Sequence, residues 1–319
     1  MFKKLLCFAL LSLILFSCSS SYEKVVDGVI IHLNKTDGNA RLLKLTVVND
    51  KVIRVSATAA DTFSTAKSLV VDELPVFNDW KLVEKDGKVV IETASLRAYA
   101  DIKTGEVEFK DLDGNTILQE NKGGGKTFIP VEIEGTKGYN IRQVFESPND
   151  EAFYGLGQHQ ADEFNYKGKN EILFQYNTKV SIPVIVSNKN YGIFWDNYSV
   201  TKFGDPRDYA QLSDLKLFDK DGNEGGLTAT YMVNGDANNV FVSRIENTID
   251  YENLTTVKKF PADFPFYNSK ITWEGEIQSD DSGVHRFLLY YAGYTKIWVD
   301  GQLMAEKWRT AWNPSVAKF

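Results

Sequence analysis

Two carboxylates facing one another across a short gap can serve as general acid and general base. The 43 acidic residues of this 319-residue chain include many close pairs, such as Asp162/Glu163 and Asp280/Asp281. Such a pair must meet across the reacting bond, which adjacency in sequence does not arrange. Neighbours on a strand point to opposite faces, so these pairs read as solvated surface acids and no catalytic residue is assigned. His32, His159 and His285 are widely scattered, without the His, Cys and acid spacing of a zinc site. Gly123-Gly124-Gly125-Lys126-Thr127 has the ending of a phosphate-binding loop, but the first glycine that loop requires falls at Glu120, and no strand–helix context surrounds it. Gly155-Leu156-Gly157 lacks the third glycine and the helix of a dinucleotide fingerprint, so its glycines serve close backbone approach in a bend. No Gly-x-Ser-x-Gly elbow occurs. Neither a metal nor a cofactor is expected.

The elements that must carry any site read as strands. Leu43, Leu45 and Val47 alternate with polar neighbours, Asn49-Asp50 makes a turn, and Ile53 and Val55 resume the alternation. Asp86-Gly87 opens a series from Val89 to Tyr99; Lys103-Thr104-Gly105 precedes Val107 to Phe109, and Asp113-Gly114-Asn115 is a third turn signal. No window from Gly28 to Asp150 has a helical period. The expectation is an all-β chain, with an N-terminal β-sandwich domain over 28–219. The glycine-rich joint Lys220 to Gly226 marks the boundary to a second, apparently incomplete β-sandwich module over 220–319.

One stretch is more specific. Phe153-Tyr154-Gly155-Leu156-Gly157-Gln158 joins an aromatic pair to two glycines. Ile182-Pro183-Val184 through Tyr191-Gly192-Ile193-Phe194-Trp195-Asp196-Asn197 reads as two buried strands around a Lys189-Asn190 turn. Together with Ile91-Glu92-Thr93 to Leu96, Asp101, Thr104-Gly105 and Phe109 to Leu118-Gln119-Glu120, this order resembles the N-terminal β-domain of glycoside hydrolase family 31, over roughly 28–215. Beyond it, Ile271-Thr272-Trp273-Glu274-Gly275, Ser282-Gly283-Val284-His285-Arg286-Phe287 and Thr295-Lys296-Ile297-Trp298-Val299-Asp300-Gly301 resemble the β-sandwich module first described in the anthrax protective antigen. An α-xylosidase of family 31 acting on xyloglucan fragments can carry such a module, so the combination points to that branch.

The resemblance implies a retaining mechanism with two aspartates on a (β/α)₈ barrel. A barrel needs about 250 residues, and none fits between Asp219 and Phe319, so the chain is expected to be the front, non-catalytic part of the enzyme. It also implies that a loop after the FYGLG stretch, near Asn177-Thr178, lends contacts to the sugar pocket. Many relatives read Asn-x-Asp there, whereas the third position here is Lys179, which cannot accept a sugar hydroxyl. Gln158, His159 and Asn177 are the candidates for lining the pocket mouth. Trp308 and Trp312 are expected to pack in a core or domain contact rather than to form a sugar platform.

Composition sets the surroundings. The 13% aromatic content leans toward β structure, with most rings expected in core packing, and the formal charge of −7 argues against a nucleic-acid surface. Met1-Phe2-Lys3-Lys4 followed by the apolar run Leu5 to Phe16 reads as a secretory leader, too short to span a bilayer. Leu15-Phe16-Ser17-Cys18 resembles the bacterial lipobox, giving a leader over 1–17, a lipidated Cys18 and a polar tether to residue 27. Cys7 lies in the leader, so the mature chain has no internal disulfide. These readings converge on a lipid-anchored cell-envelope protein whose partner is a xyloglucan-type oligosaccharide. The competing reading is a free-standing glycan-binding lipoprotein.

Overall fold

A computed structural model describes residues 21–33, 39–72, 75–159, 164–177, 179–205, 209–251, 260–265, 267–310 and 315–319. Cys18, Asp162, Glu163, Thr178 and Trp312 therefore lie outside the described residues. The chain divides into two compact units, Met1–Gly204 and Asp205–Phe319.

In the first unit, strands β1 (Tyr22–Val25), β2 (Gly28–His32), β3 (Leu42–Asn49) and β4 (Val52–Thr58) form an antiparallel meander. A second meander follows, of β5 (Lys81–Lys85), β6 (Lys88–Glu92), β7 (Arg97–Asp101), β8 (Val107–Lys110) and β9 (Thr116–Gln119). Strand period two sends Leu43, Leu45 and Val47 to one face of the first sheet and Val89, Ile91, Ala98 and Ala100 to one face of the second; all sit in one buried cluster. Two sheets sharing one core make a β-sandwich. Local chemistry sets the corners: Asp86 and Gly87 both have positive φ, 54° and 74°, as a two-residue hairpin turn requires.

The rest of this unit holds the hairpin β10 (Lys126–Ile133) and β11 (Thr136–Gln143). A three-stranded sheet orders β12 (Phe153–Gln158), β14 (Val180–Ser187) and β15 (Tyr191–Phe194), and β13 (Glu171–Leu173) pairs with β16 (Thr201–Phe203). Leu156, Tyr166, Leu173 and Ile185 form its core. The expectation of two buried strands at β14 and β15 is corrected: Ile182, Val186 and Phe194 are exposed, because only one face of that sheet meets the core. Asp196, just after β15, ties back to β4 and the following loop by accepting from Arg54 at 2.8 Å, Tyr198 Oη at 3.0 Å and Ser68 Oγ at 3.1 Å.

The second unit contains β17 (Lys216–Asp219), β18 (Leu227–Val233), β19 (Val240–Glu246), β20 (Ser269–Gln278), β21 (Leu288–Tyr291), β22 (Gly293–Val299), β23 (Gln302–Arg309) and β24 (Ser315–Lys318). One sheet runs β17-β20-β18-β19, β21 pairs with β24, and β22 with β23 around Asp300-Gly301. Because β17 pairs with β20 from Lys216↔Gln278 to Asp219↔Gly275, the Lys220–Gly226 joint falls inside this unit rather than at its edge. It is a built turn: Asp219 accepts from Asn223 N at 2.8 Å and Asn223 Nδ2 at 3.1 Å. Asp111, which opens the same D-x-D-G-N pentapeptide in the first unit, accepts from Asn115 N and Nδ2, both at 2.8 Å. These donors hold both aspartate carboxyls below the ordinary range. The described residues of both units are all-β apart from one 3₁₀ turn, Leu212–Asp214.

Candidate functional site

The site grows from the Gly155-Leu156-Gly157 bend in β12. Pairing with β14 shifts there, from Gly155↔Ile185 to Gly157↔Ser181, so two steps along β12 match four along β14. The three residues have φ of 122°, 65° and 97°, which costs least when glycines flank the leucine. Leu156 is thereby turned into the core. A Cβ on Gly157 would lie 2.0 Å from the Val180 carbonyl oxygen and 2.8 Å from Ile182 N. Gly157→Ala therefore combines an unfavourable φ with a backbone clash and is expected to cost about 2–3 kcal/mol. Urea unfolding should show this as a lower midpoint, whereas Gly138→Ala, where a Cβ meets nothing within 4 Å, should leave it unchanged.

The chain after the bend folds back on itself. The His159 Nε2–H donates to the Leu156 carbonyl at 2.7 Å, and the imidazole, 2% exposed, meets the Tyr166 ring edge-on at 6.4 Å. Its Nδ1 is buried without a hydrogen bond, 3.6 Å from Glu171 Oε1. That carboxylate is already engaged: Lys179 Nζ donates to it at 2.7 Å and to the Ile172 carbonyl at 2.7 Å. Gln175 closes the turn between them, donating to the Lys179 carbonyl at 2.8 Å and accepting from Ser181 N at 3.0 Å. The Lys179 N–H completes it by donating to the Tyr176 carbonyl at 3.1 Å.

The three residues singled out from sequence thus converge on one end of the β12–β14 ladder, in different roles. Gln158 lies opposite Val180 and, like Asn177 on the turn, is exposed; neither amide makes a hydrogen bond among the described residues. His159 points inward and braces the bend. Sequence reasoning missed Glu171, Gln175 and the exposed pair Phe174 and Tyr176, whose ring centroids are 6.1 Å apart at an interplanar angle of 34°. It marked Lys179 as unable to accept, but nothing in the linear order said that Glu171, eight residues away, would take its charge.

The exposed amides and rings at this end of the fold suit contacts with a neutral polyhydroxylated ligand. The Glu171 carboxylate there is engaged by the Lys179 ammonium. Among the described residues no group of His, Cys, Asp and Glu is placed to hold a metal ion. Asp280 and Asp281 are exposed in a loop. Trp308, expected to be packed, is 63% exposed on β23, because that face of the hairpin carries no covering layer among the described residues.

Comparison with known proteins fits this picture. A family model described as the glycosyl hydrolase 31 N-terminal galactose mutarotase-like domain matches residues 42–203. An α-xylosidase of Saccharolobus solfataricus is 34% identical over 172 residues, which is 50% of this chain and 22% of that protein. An uncharacterized family 31 glucosidase of Pseudescherichia vulneris is 22% identical over 191 residues, 54% of this chain and 36% of that protein. The crystal structure of the α-xylosidase of that family from Xanthomonas citri superposes with a TM-score of 0.79 at 37% identity, covering 93% of this chain and 32% of that one. The chain thus spans between about a fifth and just over a third of the length of these relatives.

Proposed function

The chain belongs to glycoside hydrolase family 31, and on that premise we propose that it is the N-terminal, non-catalytic portion of an exported α-xylosidase. The full protein would remove α-linked xylose from xyloglucan oligosaccharides with retention, through a covalent intermediate on an aspartate of a (β/α)₈ barrel lying outside these 319 residues. This portion would shape the pocket from the end of the β12–β14 ladder. The observation that carries the reading is the match to the Xanthomonas citri α-xylosidase: at 93% of the chain it runs through both units. The leader and lipobox add that the protein is held at the cell envelope through a lipid on Cys18.

The test is made on the native gene product and on this chain side by side. The native product is expected to be far heavier than 36.0 kDa and to release xylose from an aryl α-xyloside faster than glucose from the matching α-glucoside. The 319-residue chain alone should turn over neither. Turnover by this chain, or a native product of its size, would sink the reading. Cys18→Ser should move the protein out of the membrane fraction, and unchanged fractionation would remove the lipid anchor.

A further inference from the structure

We propose that the end of the first sheet marked by Ser21, His32, Leu42 and Thr58 faces the lipid bilayer, held there by a leash of three peptide units. This rests on the lipid anchor at Cys18 given above, and adds a face and a distance that the anchor alone does not fix. The tether expected to run to residue 27 is corrected by the structure: β1 begins at Tyr22 and pairs with β2 from Tyr22↔Ile31 to Val25↔Gly28. The fold reaches back one residue further, because His32 N donates to the Ser21 carbonyl at 2.8 Å. Nor is β1 a loose arm. Tyr22 packs on the sandwich core and its hydroxyl donates to Glu84 at 3.0 Å, while Lys24 Nζ lies 4.7 Å from the centre of the Trp80 ring. Only Ser19 and Ser20, outside the described residues, separate Ser21 from Cys18. Three peptide units span at most about 11 Å, whatever path they take.

Register decides which part of the sheet lies at the leash. His32 pairs with Leu42 and Leu42 with Thr58, so one transverse row runs from Ser21 across all four strands. Arg41 N donates to the Thr58 carbonyl at 2.6 Å and continues that end of the sheet. Because Ser21 is still in the ladder, the chain enters β1 along the strand direction. Laying the edge of β1 on the bilayer instead needs a chain reversal, which takes about four residues, and the leash has only Ser19 and Ser20. The strands therefore rise from the membrane. Arg54, four residues before Thr58 on β4, is about 13 Å farther out. There Asp196 fastens the sheet of β12, β14 and β15 to the sandwich, accepting from Arg54 at 2.8 Å. The leash thus keeps the sheet that carries the candidate site off the lipid and open to soluble oligosaccharides.

The experiment uses the lipidated protein, extracted from its own membranes and placed in phosphatidylethanolamine–phosphatidylglycerol vesicles that carry a lipid spin-labelled at its headgroup. One fluorophore is attached in turn to Ala60→Cys, Val26→Cys and Lys51→Cys, all at exposed positions; of the chain's own cysteines, Cys18 carries the lipid and Cys7 leaves with the leader. Ala60 lies just beyond the row, Val26 at the far end of β1, and Lys51 in the β3–β4 turn, about 23 Å along the strand from Thr58. Quenching by the spin label should be at least twofold stronger at Ala60→Cys than at Val26→Cys, and absent at Lys51→Cys. Inserting ten Gly and Ser residues between Ser20 and Ser21, which adds an average span of about 17 Å, should abolish it at Ala60→Cys. Quenching at Val26→Cys equal to that at Ala60→Cys would place the β1 edge on the bilayer and overturn the proposal. So would quenching that the insertion leaves unchanged; both results leave the anchor standing. A protein that fails to float with the vesicles, as Cys18→Ser should, would remove the anchor and this face with it, and leave the family reading intact.

Discussion

Glu246→Ala is expected to destabilise the second unit by about 3–5 kcal/mol, because it strands several buried donors at once. The Glu246 carboxylate, 8% exposed, accepts from Tyr231 Oη at 2.6 Å, Arg244 Nε at 2.6 Å, Trp273 Nε1 at 2.7 Å and Tyr251 Oη at 2.8 Å. These donors lie on β18, β19, β20 and the segment after β19, so one carboxylate ties three adjacent strands. Tyr231 is fully buried at the centre of the unit, packed edge-on against Phe260 and Phe264, and its other hydroxyl neighbour, Tyr251 Oη at 2.8 Å, is itself a donor to Glu246. Thermal unfolding followed by tryptophan fluorescence should show a midpoint lower by more than about 10 °C. Glu246→Gln, which keeps an acceptor oxygen, should fall in between. A midpoint within a degree or two of wild type for the alanine variant would mean that the cluster is not a keystone.

The same carboxylate gives the second unit an acid limit. Burial alone would raise its pKa, but the hydrogen bonds from Tyr231, Trp273, Tyr251 and Arg244 outweigh burial and hold it below the ordinary glutamate value. A carboxyl depressed by folding contributes stability that is complete above its unfolded value near 4.3 and is lost as pH falls through the lower folded value. The wild-type protein should therefore lose this contribution below about pH 4, and Glu246→Ala should lack that part of the acid profile.

Lys126→Met is expected to cost the first unit a similar amount, about 3–5 kcal/mol, for a different reason. Lys126 Nζ sits 2.5 Å from both Glu120 oxygens, with the carboxylate also accepting from Val107 N at 3.1 Å, and both side chains are more than nine-tenths buried. Removing the ammonium leaves an uncompensated buried charge. Burial holds the Glu120 carboxyl above, and the Lys126 ammonium below, their ordinary values, so lost solvation exceeds what each partner returns. The pair is thus dear to break yet adds little beyond what an apolar pair would. The double variant Glu120→Leu/Lys126→Met should recover most of the loss in urea unfolding, and a double variant as unstable as the single one would contradict this account. The loop-like Gly123-Gly124-Gly125-Lys126 sequence is thereby explained: its lysine serves the core, and no phosphate.

What could be read along the chain was whatever depends on neighbours in sequence. Strand period two placed Leu43, Leu45 and Val47 on a core face. Asp-Gly and D-x-D-G-N turns carried their own hydrogen bonds, and the Gly-Leu-Gly bend declared a backbone that side chains cannot follow. The order of these pieces was enough to identify the family. Tertiary structure alone decided which polar groups are spent. His159 was turned inward, Lys179 was neutralised by Glu171, the donors of Glu246 were gathered from three strands, and Phe174 and Tyr176 were left open beside Asn177. Turns and alternation are settled by steric preference within a few residues. The partner of a buried charge is settled by whatever long-range pairing brings within about 3 Å, and sequence distance does not encode that separation.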